Sequence, residues 1–268
     1  MNLQDCTAVI TGASSGLGAE FARQLAPRAR ALVLVARREV ELAALAEELQ
    51  RAHPAVRIAA IPCDLSDADQ RGQLPGHLSA LGFRMNLLIN NAGLGDYGAF
   101  ADGAWHKIDL MIQVNITALT HLTHLFLPDL KIAAPSGILN VSSLAGELPM
   151  PDFAVYAASK AYVSRFTEAM RMELRAAGIS VTALCPGPVK TGFGVAAERA
   201  GESTPKMKSA YQTKEHVVAA GLRALCRGRA RVFPGFIVRA TSLLVNAIPM
   251  PMLRLILSRR PRRPRPFA

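Results

Sequence analysis

Tyr156 and Lys160 stand four residues apart in Tyr156-Ala157-Ala158-Ser159-Lys160, the spacing that brings two side chains onto one helical face. An unperturbed phenol has a pKa of about 10, and a nearby ammonium favours its anion, so such a pair suits proton donation and abstraction near neutral pH. Thirteen residues before Tyr156 stands Ser143, directly after the apolar run Gly137-Ile138-Leu139-Asn140-Val141-Ser142. Its hydroxyl can donate to a carbonyl oxygen on which charge develops. Asn115, in Gln113-Val114-Asn115-Ile116-Thr117, is polar among apolar neighbours. Taken singly, Tyr-x-x-x-Lys is a common surface-helix pattern, and Asn115 reads as a satisfied buried amide.

These residues need a scaffold to bring them together, and the hydrophobic pattern supplies one. Short apolar, β-branched runs at Thr7 to Ile10, Ala31 to Ala36, Val56 to Cys63, Asn86 to Asn90, Gly137 to Ser142, Ser180 to Cys185 and Arg231 to Phe233 alternate with helical segments. That alternation predicts an α/β fold: a single doubly wound domain, its mostly parallel seven-stranded sheet covered by helices on both faces. Glu39 to Arg51 illustrates the helical part, with Leu42, Leu45 and Leu49 on one stripe and Glu41, Glu47 and Glu48 at polar positions.

The first predicted strand runs into Thr11-Gly12-Ala13-Ser14-Ser15-Gly16-Leu17-Gly18, followed by a helical pattern containing Phe21, Ala22 and Leu25. Strand, glycine turn and helix N-terminus together offer a close backbone approach and unpaired amides to a pyrophosphate, as in dinucleotide-binding units. The second strand ends in Arg37-Arg38 with no acid before Glu39. Where a NAD-specific unit places a carboxylate, two guanidiniums near the Ser14 hydroxyl suit the 2′-phosphate of NADP(H). Asp64-Leu65 after the third strand and Asn90-Asn91-Ala92-Gly93 after the fourth lie at carboxyl ends, where open α/β sheets bind ligands. Singly, Asp64 could be a helix cap and the asparagines a turn.

Taken in order, Thr11-Gly12-x-x-x-Gly16-x-Gly18, Asn90-Asn91-Ala92-Gly93, Asn115, Ser143, Tyr156-x-x-x-Lys160 and Pro186-Gly187 make the chain resemble a classical short-chain dehydrogenase/reductase over roughly Met1 to Phe233. The resemblance implies a Rossmann-type domain and an oxidoreductase that moves a hydride between NADP(H) and a carbonyl or alcohol. It implies Tyr156 as general acid in reduction and base in oxidation, with Lys160 lowering its pKa and binding the nicotinamide ribose. Ser143 would polarise the carbonyl, and Asn115 would hold a water relaying protons to Lys160. Cofactor contacts would come from Gly12, Ser14, Ser15, Gly16, Leu17, Gly18, Arg37, Arg38, Asp64, Leu65, Asn91, Ala92, Gly93, Tyr156, Lys160, Pro186, Gly187, Val189 and Thr191. A homodimer or homotetramer follows from the family alone.

The chain has 268 residues, half of them hydrophobic, enough apolar surface to exclude disorder throughout. The domain is expected to span 1–235, with a ligand-covering insertion at about 192–210, an apolar extension at 236–258 and a basic Pro/Arg tail at 259–268. Leu94, Tyr97, Leu148, Met150, Phe153, Phe193, Val195 and Met207 are the candidates for an apolar pocket, hence a hydrophobic ketone as substrate, with reduction the favoured direction. Cys6, Cys63, Cys185 and Cys226 are widely spaced and read as thiols of a reducing compartment. His121 and His124 share a helical face without a third ligand, so no metal is expected. Neither secretory signal nor spanning helix is read from the sequence, Ala240 to Leu253 being short and broken by Pro249 and Pro251, which makes a cytoplasmic protein the expectation. Of the net charge of +11, six arginines at or after Arg254 carry more than half. That cluster admits contact with anionic lipid or an acidic partner, or a solvated end with none; for the apolar segment before it, packing within the chain or against a second subunit is favoured over lipid contact, and no nucleic acid is expected. The competing reading is an NADP(H)-binding redox sensor or scaffold acting through this basic end.

Overall fold

Successive side chains of a strand leave on opposite faces, so strands that are apolar throughout must be covered on both. The computed structural model, which describes residues 1–199 and 211–258, meets this with a seven-stranded sheet. Its strands are β1 (Cys6–Thr11), β2 (Ala29–Ala36), β3 (Arg57–Pro62), β4 (Leu87–Asn90), β5 (Ser136–Val141), β6 (Ile179–Leu184) and β7 (Arg231–Val232). They lie in the order β3-β2-β1-β4-β5-β6-β7, and every ladder is parallel. Each predicted strand is present, with ends shifted by at most two residues.

The helices in chain order are α1 (Gly16–Leu25), α2 (Glu39–Ala52), α3 (Ala68–Ala80), α4 (Trp105–Ile112), α5 (Leu119–Ile132), α6 (Ala154–Leu174), α7 (Phe193–Ala197), α8 (Lys214–Cys226), α9 (Phe236–Ala247) and α10 (Met250–Ser258). Ile10, Leu32, Leu34 and Leu139 pack with α1, α2 and α8 on one face of the sheet. Their strand neighbours Val9, Val33 and Ile138 pack with α3, α5 and α6 on the other. The stripe predicted for α2 is there: Leu42, Leu45 and Leu49 are its buried residues, each worth roughly 1.5–3 kcal/mol of transfer free energy. Asp67 caps α3, accepting from the amides of Asp69 and Gln70, so Asp64 is not the cap.

Between α4 and α5 the helix winds wider over Gln113–Ala118, a π-helical turn that holds Asn115. The continuous stretch Trp105–Ile132 is long and apolar enough to cross a membrane, yet Leu122, Phe126 and Leu130 are wholly buried in the layer against the sheet. Core packing therefore accounts for its composition. The predicted apolar extension is two helices, α9 and α10, bent by 113° next to Pro249, which cannot donate to the helical ladder. Val238 and Ser242 anchor α9 inward. Residues 200–210 of the expected insertion and the tail at 259–268 lie outside the described residues.

The strand order runs outward from β1 in one direction and from β4 in the other. At such a switch point the connections part, leaving a crevice outside the carboxyl ends of β1 and β4. The glycine turn, Asn91, Ser143 and Tyr156 all follow strands that end there.

Candidate active site

Tyr156 and Lys160 occupy the first two turns of α6 and are both buried. Ser142 Oγ donates to the Lys160 carbonyl at 2.7 Å, tying α6 to the end of β5. One residue on, Ser143 stands beside the Tyr156 phenol and favours its ionisation, and its Oγ accepts from the Ala145 amide at 3.1 Å. Lys160 Nζ lies 5.8 Å from the centre of the Tyr156 ring and donates to the Val141 carbonyl at 2.9 Å. A methyl group at Gly93 would sit 3.2 Å from Lys160 Nζ and 3.4 Å from Asn115 Oδ1, so the ammonium and the amide converge on that glycine. The four residues picked out by type and spacing thus meet at one place.

Asn115 is anchored within the chain. Its Nδ2 donates to the Leu94 carbonyl at 2.9 Å and to Ser159 Oγ at 3.0 Å, and its Oδ1 accepts from the Leu94 amide at 2.8 Å. Both amide protons are engaged, so the side chain fixes the loop after β4. The wide helical turn brings it there.

Burial governs the charges. It pushes the Tyr156 phenol up to about 12, against the opposing influence of Ser143. It pushes Lys160 down to about 8. For the chain's own groups, burial is the dominant influence on the phenol, and the lysine is directed at a main-chain carbonyl. At neutral pH the phenol is protonated and the lysine still mostly charged. Cys185 lies beneath this site, 3.9 Å from Ser164 Oγ, and burial pushes its thiol up to about 12, which makes it an inert core residue.

The glycine turn is built against the loop after β4. Gly12 has φ of +63°, and a methyl group on it would lie 2.9 Å from Ala92 Cα. Asn91 Nδ2 donates to the carbonyls of Thr11 at 2.9 Å and Gly12 at 3.2 Å, while Thr11 Oγ1 accepts from the amides of Asn91 and Ala92 at 3.0 Å. Asn91 therefore positions the turn. No side chain caps the N-terminus of α1, where Ser15 is the N-cap residue, so its first-turn amides suit a pyrophosphate. Arg38 donates to Ser14 Oγ at 3.0 Å and Ser15 Oγ at 2.7 Å, gathering a guanidinium and two hydroxyls beside that turn. This donor set fits a phosphate.

Four of the expected contact residues also have partners within the chain. Arg37 is separated from Arg38 and faces Asp64 at 3.9 Å, because successive residues at a strand end point apart. Asp64 Oδ1 accepts from the Ser66 amide and hydroxyl at 2.9 and 2.7 Å. Leu65 and Leu17 pack their side chains on the core, leaving only their main chains for a ligand. Past β6, the Pro186 carbonyl accepts from the Leu144 amide at 2.8 Å, and Val189 packs on the core and bridges to Gln212. The Thr191 side chain stands 3.7 Å from a methyl position on Gly16, across the crevice from the start of α1.

Aromatic rings roof the phenol. Phe153 stacks on Tyr156 at 4.3 Å between centroids, Phe193 tilts against it at 5.4 Å, and Tyr97 meets Phe153 edge-on at 5.6 Å. The Tyr97 amide donates to the Ala197 carbonyl at 2.7 Å. Arg199 Nε donates to Asp96 Oδ1 at 2.8 Å, and this bond holds the Asp96 carboxyl below its usual range. Arg199 Nη1 also donates to the Ala99 carbonyl at 2.8 Å, so α7 is strapped over the site. Of the predicted pocket residues, Tyr97, Phe153 and Phe193 converge, Leu94, Leu148 and Met150 are half-buried, and Val195 is 76% exposed. Met207 lies outside the described residues. The Asp96–Arg199 pair was missed, since partners 103 positions apart leave no local pattern.

A parallel sheet with a glycine turn at its switch point and a buried Tyr–Lys pair at its carboxyl edge defines a nicotinamide-dinucleotide oxidoreductase class. Residues 6–201 match the family described as short chain dehydrogenase, and the chain belongs to that family. Sulfoacetaldehyde reductase 2 of Chromohalobacter salexigens is 38% identical over 191 residues, covering 69% of this chain and 73% of that protein. A short-chain dehydrogenase from Sphingobium yanoikuyae, solved with NADPH, superposes with a TM-score of 0.77 at 29% identity over 97% of this chain and 98% of its own. A short-chain dehydrogenase/reductase from Burkholderia phymatum, solved with NAD, gives 0.81 at 27% identity, over 98% of this chain and 99% of its own. A nicotinamide dinucleotide is thus the cofactor of the class, and relatives of similar likeness hold either form.

Proposed function

We propose that this chain is an NADP(H)-dependent reductase of apolar ketones, working in a reducing, cytoplasmic compartment. The observation that carries the reading is the convergence of Ser143, Tyr156 and Lys160 under the roof of Phe153 and Phe193.

A nicotinamide dinucleotide, when bound, would supply the hydride for the carbonyl carbon. Arg38, Ser14 and Ser15 would hold its ribose phosphate, the amides of Gly16, Leu17 and Gly18 its pyrophosphate, and Thr191 its nicotinamide end. Ser143 donates a hydrogen bond to the substrate oxygen as negative charge develops. Tyr156, kept protonated by burial, gives its proton to that oxygen, so the ketone gains hydride and proton to become an alcohol. Lys160 orients the ribose and stabilises the resulting phenolate, which is reprotonated from solvent past Asn115 and Lys160. In oxidation the same phenolate is the base. The preference for NADP(H) rests on Arg38 and its two serines, and the apolar substrate on the aromatic roof. Free Cys6, Cys63, Cys185 and Cys226, three of them buried, support the reducing compartment. Homo-oligomerisation is proposed from the family. The competing scaffold reading draws on residues 259–268, and none of the site's geometry favours it.

The test is a panel of small polar, small apolar and bulky apolar ketones, followed by nicotinamide absorbance with NADPH and NADH in parallel. Turnover of the apolar ketones with NADPH supports the reading. Activity confined to polar carbonyls, or to NADH, contradicts it.

A further inference from the structure

The two C-terminal helices are amphipathic, and one side of them is left uncovered among the described residues. Val238, Ser242 and Leu253 are buried, whereas Phe236, Leu243, Leu244, Met252, Leu255 and Ile256 are between 52 and 85% exposed. So large a share of bulky apolar surface on a soluble face marks a contact site. The charge around it is one-sided. After Glu215 the sequence holds eleven arginines and not one acidic residue, and Arg239 and Arg254 are exposed on the two helices themselves.

Two occupants could cover such a face. A second copy of the chain would bury the leucines, but it would also bring the same uncompensated positive field against itself. An anionic bilayer satisfies both features, taking the apolar side chains below the headgroups and the guanidiniums at them. The shape agrees: α9 and α10, bent by 113°, lie as a bracket suited to resting in an interface rather than running through it.

The bracket also borders the active site. A methyl group on Gly187 would come within 2.7 Å of Val238 Cγ2, and Asn246 Nδ2 donates to Glu147 Oε2 at 3.1 Å. Gly187 and Glu147 belong to the segments after β6 and β5, and the latter includes Ser143. We propose that α9 and α10 seat the chain on an anionic membrane surface, with the active-site mouth toward the bilayer, so that its ketone arrives dissolved in lipid. The delivery half of this statement rests on the reductase reading; the docking half does not.

The test is co-sedimentation of the full chain with vesicles of pure phosphatidylcholine and of equimolar phosphatidylcholine and phosphatidylglycerol, at low and high salt. The proposal expects binding to the anionic vesicles alone, release by salt, and a partition lowered by at least about tenfold in the exposed double variant Leu243→Glu, Leu244→Glu, with NADPH affinity unchanged. No sedimentation with anionic vesicles at low salt overturns it. So does a variant that binds vesicles as wild type does but loses an oligomeric state in analytical ultracentrifugation, which would assign the face to a second copy. Ketone reduction measured without vesicles reports separately on the catalytic reading, so either can fail alone.

Discussion

The ring of Phe193 lies 5.4 Å from that of Tyr156, which makes the short helix α7 the roof of the buried phenol. On the proposed mechanism a substrate carbonyl reaches Tyr156 beside or beneath that ring. Phe193→Ala should therefore raise kcat/KM for bulky apolar ketones relative to small ones by roughly tenfold, the size of effect that pocket volume produces. Steady-state kinetics on a matched ketone pair checks this; an unchanged ratio would place the substrate elsewhere.

On the proposed NADP(H) reading, discrimination between dinucleotides depends on Arg38, which is exposed and hydrogen-bonded to Ser14 and Ser15. A charge-assisted contact to phosphate is worth about 1.5–3 kcal/mol. Arg38→Ala should thus lower kcat/KM for NADPH roughly ten- to a hundredfold and leave NADH within about twofold. Arg37→Ala should do less, because its guanidinium faces Asp64. Equal losses with both cofactors for Arg38→Ala would contradict the assignment.

Lys160 gives the folded chain a pH signature. Burial lowers its pKa from 10.5 to about 8, so between those values the unfolded chain binds a proton that the folded one has released. Stability contributed by this group therefore rises with pH across that window. Cys6 and Cys63, raised from 9.0 to about 11 by burial, act in the opposite sense but equally in wild type and variant. Urea denaturation should show wild type gaining on Lys160→Met as pH rises from about 8 to 10. A difference independent of pH would mean that Lys160 is not desolvated.

Much of this was legible because it is local. Tyr156 and Lys160 share one helix face, the glycines follow one strand, and Leu42, Leu45 and Leu49 recur at helical spacing, so sequence distance maps directly onto space. The parallel sheet followed from uniformly apolar strands. What stayed hidden depends on tertiary placement. The wide turn at Asn115 has no residue signature. The divergence of Arg37 from Arg38 depends on how the strand ends, and the strap between Asp96 and Arg199 joins distant segments. The protonated state of Tyr156 is set by how deeply α6 packs, which no pairing of residue types reveals.

The central claim is that the Tyr156 hydroxyl delivers the proton. Tyr156→Phe keeps the ring that stacks on Phe153 and removes only that oxygen, so the decisive measurement is NADPH-dependent ketone reduction by this variant beside its NADPH Kd. Turnover is predicted to fall by about a hundred- to ten-thousandfold with Kd within about twofold. A rate within a few-fold of wild type, with cofactor binding intact, would contradict the account.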